Sequence, residues 1–303
     1  MSARERGVAV ILAMGVVALA AMTATAIMAL QSTWARQHEL TADHAQARAL
    51  INGGLDWSRA VLSDDRRLTS VDHRAEPWAL RLASIPVENG EIAGYIEDQQ
   101  GLFNLNNLVR EGKLSLAQLR QFRRLLAILE LPGALADALA DWLDADSEPQ
   151  PQHGAEDRYY LSLELPYLAA NRPLADVAEL ALVRGFDDSV RARLRPFVTA
   201  LPRYTAINVN TAPPEVLAAI VEGMDISQAR ALAAQRDRAY FRNGADFARA
   251  LPGGLEVRSD ISTSSDFFMV TAHARIGEAH ARATALLQRE ERGWPVVVWR
   301  KFL

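Results

Sequence analysis

The N-terminal stretch constrains this chain more than any other. After MSARERG, no charged residue occurs from Val8 to Ala35, and Val8–Leu30 reads VAVILAMGVVALAAMTATAIMAL. A helix over these residues is about 34 Å long at 1.5 Å per residue, enough to cross a hydrocarbon core of roughly 30 Å. Arg4 and Arg6 precede the span, so the positive-inside rule keeps the N-terminus cytoplasmic and puts everything after Arg36 on the far side of the membrane. Eight of the 23 residues from Val8 to Leu30 are alanine. Small residues four apart, such as Ala9 with Ala13 or Ala21 with Thr25 and Ala29, let helices approach closely, so the span suits packing against other helices as well as lipid.

Three readings of the segment stand open on the residues alone: a cleaved secretory signal, a plain signal anchor, and a leader of the type IV prepilin kind. The apolar run is longer than the roughly 7–15 residues of a secretory signal, which counts against the first. In the third, a cut between Gly7 and Val8 removes the short charged leader and keeps the helix.

Half of the chain is apolar, which supplies a core and excludes wholesale disorder. With 33 basic and 37 acidic residues the net charge is −4, a poor basis for neutralising phosphates. Cysteine is absent, which excludes thiol catalysis, disulfides and cysteine-ligated zinc. The six histidines are scattered, no nucleophile or paired acid accompanies them, and no phosphate-binding glycine motif follows a strand pattern, so no catalytic activity is expected.

Beyond the span, Gln31–Leu62 continues as an amphipathic helix with Leu40, Leu50, Ile51, Leu55, Trp57, Val61 and Leu62 as apolar members, and Gly53-Gly54 is expected to bend or loosen it. Ile85–Val87 and Ile92–Ile96 flank an Asn89-Gly90 turn and predict a β-hairpin. Alternation over Phe268–Ile276 and Ala279–Leu287, with Gly277 between, predicts another, and Trp294–Phe302 a final strand. Between these lie helical patterns at Leu116–Leu131, Leu135–Leu143, Leu174–Leu182 and Ser189–Leu194. Strands at both ends pair more economically with one another than as two small sheets, so the helical block reads as an insertion. Phe103-Asn104-Leu105-Asn106-Asn107 is echoed 104 positions later by Ile207-Asn208-Val209-Asn210-Thr211, with the asparagines expected to cap helices or satisfy turn amides. Of Trp57, Trp78, Trp142, Trp294 and Trp299, most are expected in the core.

The densest acidic segment is DWLDADSEPQPQHGAED, with carboxylates at Asp141, Asp144, Asp146, Glu148, Glu156 and Asp157. Asp144, Asp146 and Glu148 alternate as calcium ligands do, and a return strand bringing back Glu156 and Asp157 completes an oxygen shell. The segment lacks the glycine and glutamate spacing of an EF-hand, and on the residues alone a solvated acidic loop is the better account of it. His153 suits calcium poorly and is expected to be exposed.

The leader RERG with VAVILAMGVVALA, then GLFNLNNL, DWLDADSEPQPQHGAEDRYY, YLAANRPLADVAEL and INVNTAPPEVLAAI, in that order from Arg4 to Ile220, resemble the general secretion pathway protein K family, a minor pseudopilin of type II secretion. The resemblance implies an α+β fold: a pilin-like long N-terminal helix packed on an antiparallel sheet, with a large inserted α-helical domain. It divides the chain into a leader at 1–7, a transmembrane or filament helix at 8–35, the first part of the pilin-like domain at 36–103, the inserted domain at 104–204, and the second part at 205–303 with a helix-hairpin-helix-like unit. It further implies cleavage after Gly7 by the prepilin peptidase, methylation of the new terminus at Val8, and a structural Ca²⁺ in the globular part. The fifth mature position, a glutamate in most filament subunits, is Leu12 here. A carboxylate in lipid needs a charged partner, the terminal ammonium of the subunit ahead. A subunit with nothing ahead has no such partner, so Leu12 agrees with a place at the pseudopilus tip, in complex with minor pseudopilins I and J. The implied location is the inner membrane, single-pass, with the globular part periplasmic and the helical domain free to meet exported substrate or the outer-membrane channel.

The rival is a membrane-anchored DNA-binding protein of a DNA-uptake or pilus system, since Ile207–Leu251 also resembles a helix-hairpin-helix unit. Such a hairpin offers backbone amides to phosphate through two glycines. Only Gly223 is present, and Asp225 stands at the second place, setting a negative charge against an anionic backbone.

Overall fold

The computed structural model describes residues 3–290 and 293–303, and among these the side chains of residues 3–6 and 8–10 are outside the description. Helix α1 runs unbroken over Ala3–Leu68. Its first half touches nothing: Ile11, Leu12, Met14 and Val16 are all exposed, and none of its apolar window is buried. Its second half lies on a sheet through Ala47, Ile51, Leu55 and Leu62, a stripe at helical spacing. Of the other apolar members, Leu50 and Val61 are half-buried, while Leu40 and Trp57 face outward. Gly53-Gly54, expected to bend the helix, does not. A Cβ on Gly54 would stand 2.9 Å from Ile92 Cδ1, so this glycine serves close approach of helix to sheet.

The sheet has five antiparallel strands in chain order: β1 (Leu82–Val87), β2 (Gly90–Asp98), β3 (Phe267–Ile276), β4 (Ala279–Gln288) and β5 (Val296–Phe302). The two chain ends meet at its centre, where β2 pairs with β3 from Gly90↔Ile276 to Asp98↔Phe268. Phe268, Val270, Ala272, Ala274 and Ile276 turn to α1, as their alternation predicts. In the first hairpin Asn89 alone takes the left-handed conformation, at φ 59°. Gly90 has another duty, because a Cβ there would fall 1.9 Å from the Arg275 carbonyl oxygen on β3.

Between β2 and β3 lie α2 (Leu116–Ile128), α3 (Ala134–Leu143), α4 (Asp188–Leu194), α5 (Pro214–Ile220), α6 (Ile226–Arg238) and α7 (Gly244–Ala250). The pattern at Leu174–Leu182 forms only a 3₁₀ segment, Val177–Leu182, opened by Asp176 accepting from the Ala178 amide at 2.6 Å. One core runs from Phe103 to Phe247, so the helix-hairpin-helix-like unit shares it with the inserted block, while the sheet and α1 share a second core.

The asparagine echo is structural. Asn106 donates to the carbonyls of Leu174 and Leu201 at 2.9 Å and accepts from the Leu174 amide at 2.8 Å. Its counterpart Asn210 donates to the Phe241 carbonyl at 2.9 Å and accepts from the Phe241 amide at 2.8 Å. Asn104 and Asn208 each accept from the amide two residues on, closing the turn that aims the clamp.

Where the two cores adjoin, Arg289 donates to Asp65 at 2.8 Å and also bonds Asp72 and the Ser265 carbonyl. Asp98 accepts from Asn208 at 3.0 Å and Ser265 at 2.7 Å, and Glu76 from the Trp78 indole at 2.8 Å. Four buried carboxylates thus gather at the junction, and Asp65 and Asp72 share the Arg289 guanidinium. Burial, aided by Glu76 and Asp72, pushes Asp65 up to about 6, and burial does the same to Asp98. The tryptophans divide otherwise than expected: Trp78 and Trp142 are in the cores, Trp299 is half-buried, and Trp57 on α1 and Trp294 ahead of β5, under the Arg59 guanidinium, are exposed.

Candidate metal centre

Helix α3 ends at Leu143 because Asp144 turns extended, and the loop that follows folds back on the helix. Asp141 directs that return. Its carboxylate accepts from the Gln150 amide at 3.1 Å and the Ala155 amide at 2.6 Å, so it is a loop brace whose lone pairs are engaged. Gly154 is required there, since a Cβ would lie 2.3 Å from Asp141 Oδ2. The bracing brings Glu156 beside Asp144 and Asp146, and one carboxylate oxygen from each lies within 4.8 Å of the others. Oxygens at that separation can share a single ion at 2.3–2.6 Å.

Both Glu156 oxygens and Asp144 Oδ1 are buried without a hydrogen-bond donor. No basic side chain pairs with Asp144, Asp146 or Glu156 among the described residues, whereas nearby Asp137 is met by Arg123 and, at 3.6 Å, His153. Burial and then mutual repulsion push Asp144 up to about 6 and Glu156 up to about 7. A hard divalent cation fits this set: three carboxylates, no counter-charge, and oxygens with no donor.

The six carboxylates read from the sequence therefore divide. Asp144, Asp146 and Glu156 converge. Asp141 braces the loop, Asp157 accepts from the Ala169 amide at 2.9 Å, and Glu148 is exposed with its amide donating to Asp146. No return strand forms. The chain comes back through turns into a single helical turn, Asp157–Tyr160, because the Asp141 brace closes the loop too tightly for a strand. His153 is exposed, as expected.

Asn171 lies outside the acidic segment, two residues before Pro173. In the fold it donates to the Asp146 carbonyl at 3.2 Å, and its own Oδ1 is buried without a donor. The signal that could have found it is an asparagine ahead of Arg-Pro in the partner segment of an acidic loop, where left-handed backbone (φ 46°) is cheapest for asparagine.

Family models described as type II secretion system (T2SS), protein K match residues 101–203 and 207–265. The type II secretion system protein K of Pseudomonas aeruginosa is 38% identical, over 95% of this chain and 90% of that protein. The chain belongs to the type II secretion system protein K family. The Klebsiella pneumoniae protein K is 32% identical over 98% of this chain and 96% of its own length. Among solved structures, the GspK-GspI-GspJ complex from the enterotoxigenic Escherichia coli type 2 secretion system contains a chain that superposes with a TM-score of 0.78. It is 26% identical, and the match covers 88% of this chain and 99% of that one.

For this protein K family member the long helix on an antiparallel sheet with an added helical block is the expected α+β fold. The DNA-binding rival gains no support. Asp225 caps α6 by accepting from the Gln228 amide at 2.8 Å, which sets a carboxylate on an amide that a phosphate would need. Arg236, a cation within the same unit, is buried and donates to the Val209 carbonyl at 3.1 Å, out of reach of a phosphate. Among the stem residues, Gly7 is exposed within α1, Leu12 is exposed on it, and the side chain of Val8 lies outside the described residues.

Proposed function

We propose that this chain is a minor pseudopilin at the tip of a type II pseudopilus, assembling with minor pseudopilins I and J and taking part in export of folded proteins across the outer membrane. The observation that carries this reading is the match over nearly the whole of a chain solved in a GspK-GspI-GspJ complex. The prepilin peptidase cuts between Gly7 and Val8, Val8 is methylated, and the remaining helix holds the protein in the inner membrane with its head in the periplasm. Leu12 supports the tip position by lacking the carboxylate that a subunit behind another would pair. The protein works by assembly and not by catalysis. Ca²⁺ sits on Asp144, Asp146 and Glu156, where it neutralises the unpaired carboxylates and pins the loop to the end of α3.

The test is co-purification of the full-length chain, in detergent, with pseudopilins I and J of the same system. A stable ternary complex at moderate salt is the expected result; failure to retain either partner would overturn the tip reading. Mass analysis of the mature chain addresses the leader, with a start at Val8 plus one methyl group expected and a start beyond Ala26 excluding it.

A further inference from the structure

A cavity of about 670 Å³ opens between the sheet and the helical block, on the side of the sheet turned away from α1. One wall is built from cross-strand neighbours: Tyr95 pairs with Thr271, and Thr271 with Thr284. The adjoining row ends at Leu286 against Trp299. The facing wall is one side of α4 and its end, where Asp188, Arg191, Ala192 and Arg195 recur at helical spacing.

The charges lining this cleft divide unevenly. Every carboxylate is matched: Glu97 by Arg81 at 3.1 Å, Asp176 by Lys301 at 2.5 Å, and Asp188 by Arg191. Arg195 and Arg282 have no carboxylate or carbonyl partner among the described residues, and the Trp299 indole Nε1 is buried with no acceptor. The charged groups left over are both guanidiniums. Burial and then the charge of Arg282 hold His273, its cross-strand neighbour, below the usual imidazole value. A ligand that satisfies the cleft must bring acceptors and negative charge, and must also cover the half-buried rings of Tyr95 and Trp299.

We propose that this cleft binds an extended, carboxylate-rich peptide segment, with Arg195 and Arg282 taking its acidic side chains and the Trp299 indole donating to its main chain. That the ligand is polypeptide rests on the secretion reading above; that it is anionic rests on the donors alone. The two guanidinium forks suit carboxylates, and a cavity of about 670 Å³ walled by a sheet face on one side and a helix on the other has room for a short peptide segment.

The test uses the full-length chain in nanodiscs of neutral phosphatidylcholine and a fluorescent octapeptide alternating glutamate with leucine, read by anisotropy. Saturable binding is expected, about tenfold weaker in Arg195→Ala and in Arg282→Ala, and lost when lysine replaces glutamate in the peptide. Trp299→Phe keeps the ring and is expected to weaken binding about threefold. Both arginines are exposed and unpaired, so melting temperature should not move in either variant. Binding unchanged in the double variant R195A/R282A, or no saturable binding at all, overturns the proposal. Inorganic phosphate that binds as tightly as the peptide also overturns it, in favour of a small-anion site. Assembly of R195A/R282A with pseudopilins I and J is measured beside it. Loss of assembly in the unaltered chain sinks the pseudopilin reading, and unchanged peptide binding in the variant sinks only this one.

Discussion

Asn106 and Asn210 do similar work in two places, each gripping the main chain of a segment far away in sequence through both its donor and its acceptor. Truncating Asn210 to alanine leaves the buried amide and carbonyl of Phe241 without those partners, at a cost of about 2–4 kcal/mol. Denaturant unfolding of N210A measures it, and a loss below about 1 kcal/mol would mean that the clamp is dispensable. The acidic loop gives a second residue-level test, because Glu156 has two buried oxygens with no donor while Glu148 is exposed. Calcium at about a hundred times its dissociation constant stabilises the folded chain by roughly 2.7 kcal/mol. A thermal melt with calcium and with chelator should show that shift in E148Q and lose most of it in E156Q. Equal shifts in both variants would place the ion elsewhere. The sequence showed the density of carboxylates here but not which of them converge, because the selection is made by Asp141 reaching across the loop to Gln150 and Ala155.

At the scale of elements, periodicity told most of the story. The stripe of α1, both hairpins, β5 and the helices α2, α3 and α4 all follow from apolar spacing within a single segment. What escaped depended on contact between segments. Gly53-Gly54 looks like a break until β2 is seen lying against one of the two glycines. The buried pair Asp65 and Asp72 gives no local sign of its partner, because Arg289 arrives from the far end of the chain. The glycine pair provides an internal control. Gly54→Val should overpack the helix–sheet contact and cost about 1–3 kcal/mol, whereas Gly53→Ala, with open space around it, should be neutral or stabilising by up to about 1 kcal/mol. Matched unfolding curves decide, and equal effects would refute the close-approach account.

For the whole molecule, the junction between the two cores makes stability depend on pH. The Asp98 carboxyl, raised from 3.8 to about 6, keeps its proton in the folded chain where the unfolded chain has released it. That contribution is present at about pH 4 and is lost as pH rises through 6. The stability of the unaltered chain relative to D98N should therefore fall by roughly 2–3 kcal/mol from pH 4 to pH 7. A difference that stays flat would mean that Asp98 ionises as it does in water. The stem makes the opposite kind of prediction. Burial on α1 begins only near Asp43, so a fragment starting at Arg36 should melt within about 2 °C of the full chain in detergent. The central β2–β3 pairing has a consequence for timing. A chain made from its N-terminus supplies α1, β1 and β2 long before β3, β4 and β5, so the helical block, with a core of its own, can condense first. Until β3 and β4 are made, the stripe from Ala47 to Leu62 has only a two-stranded ribbon to rest on, and the strands that close the head are those that follow the whole helical block.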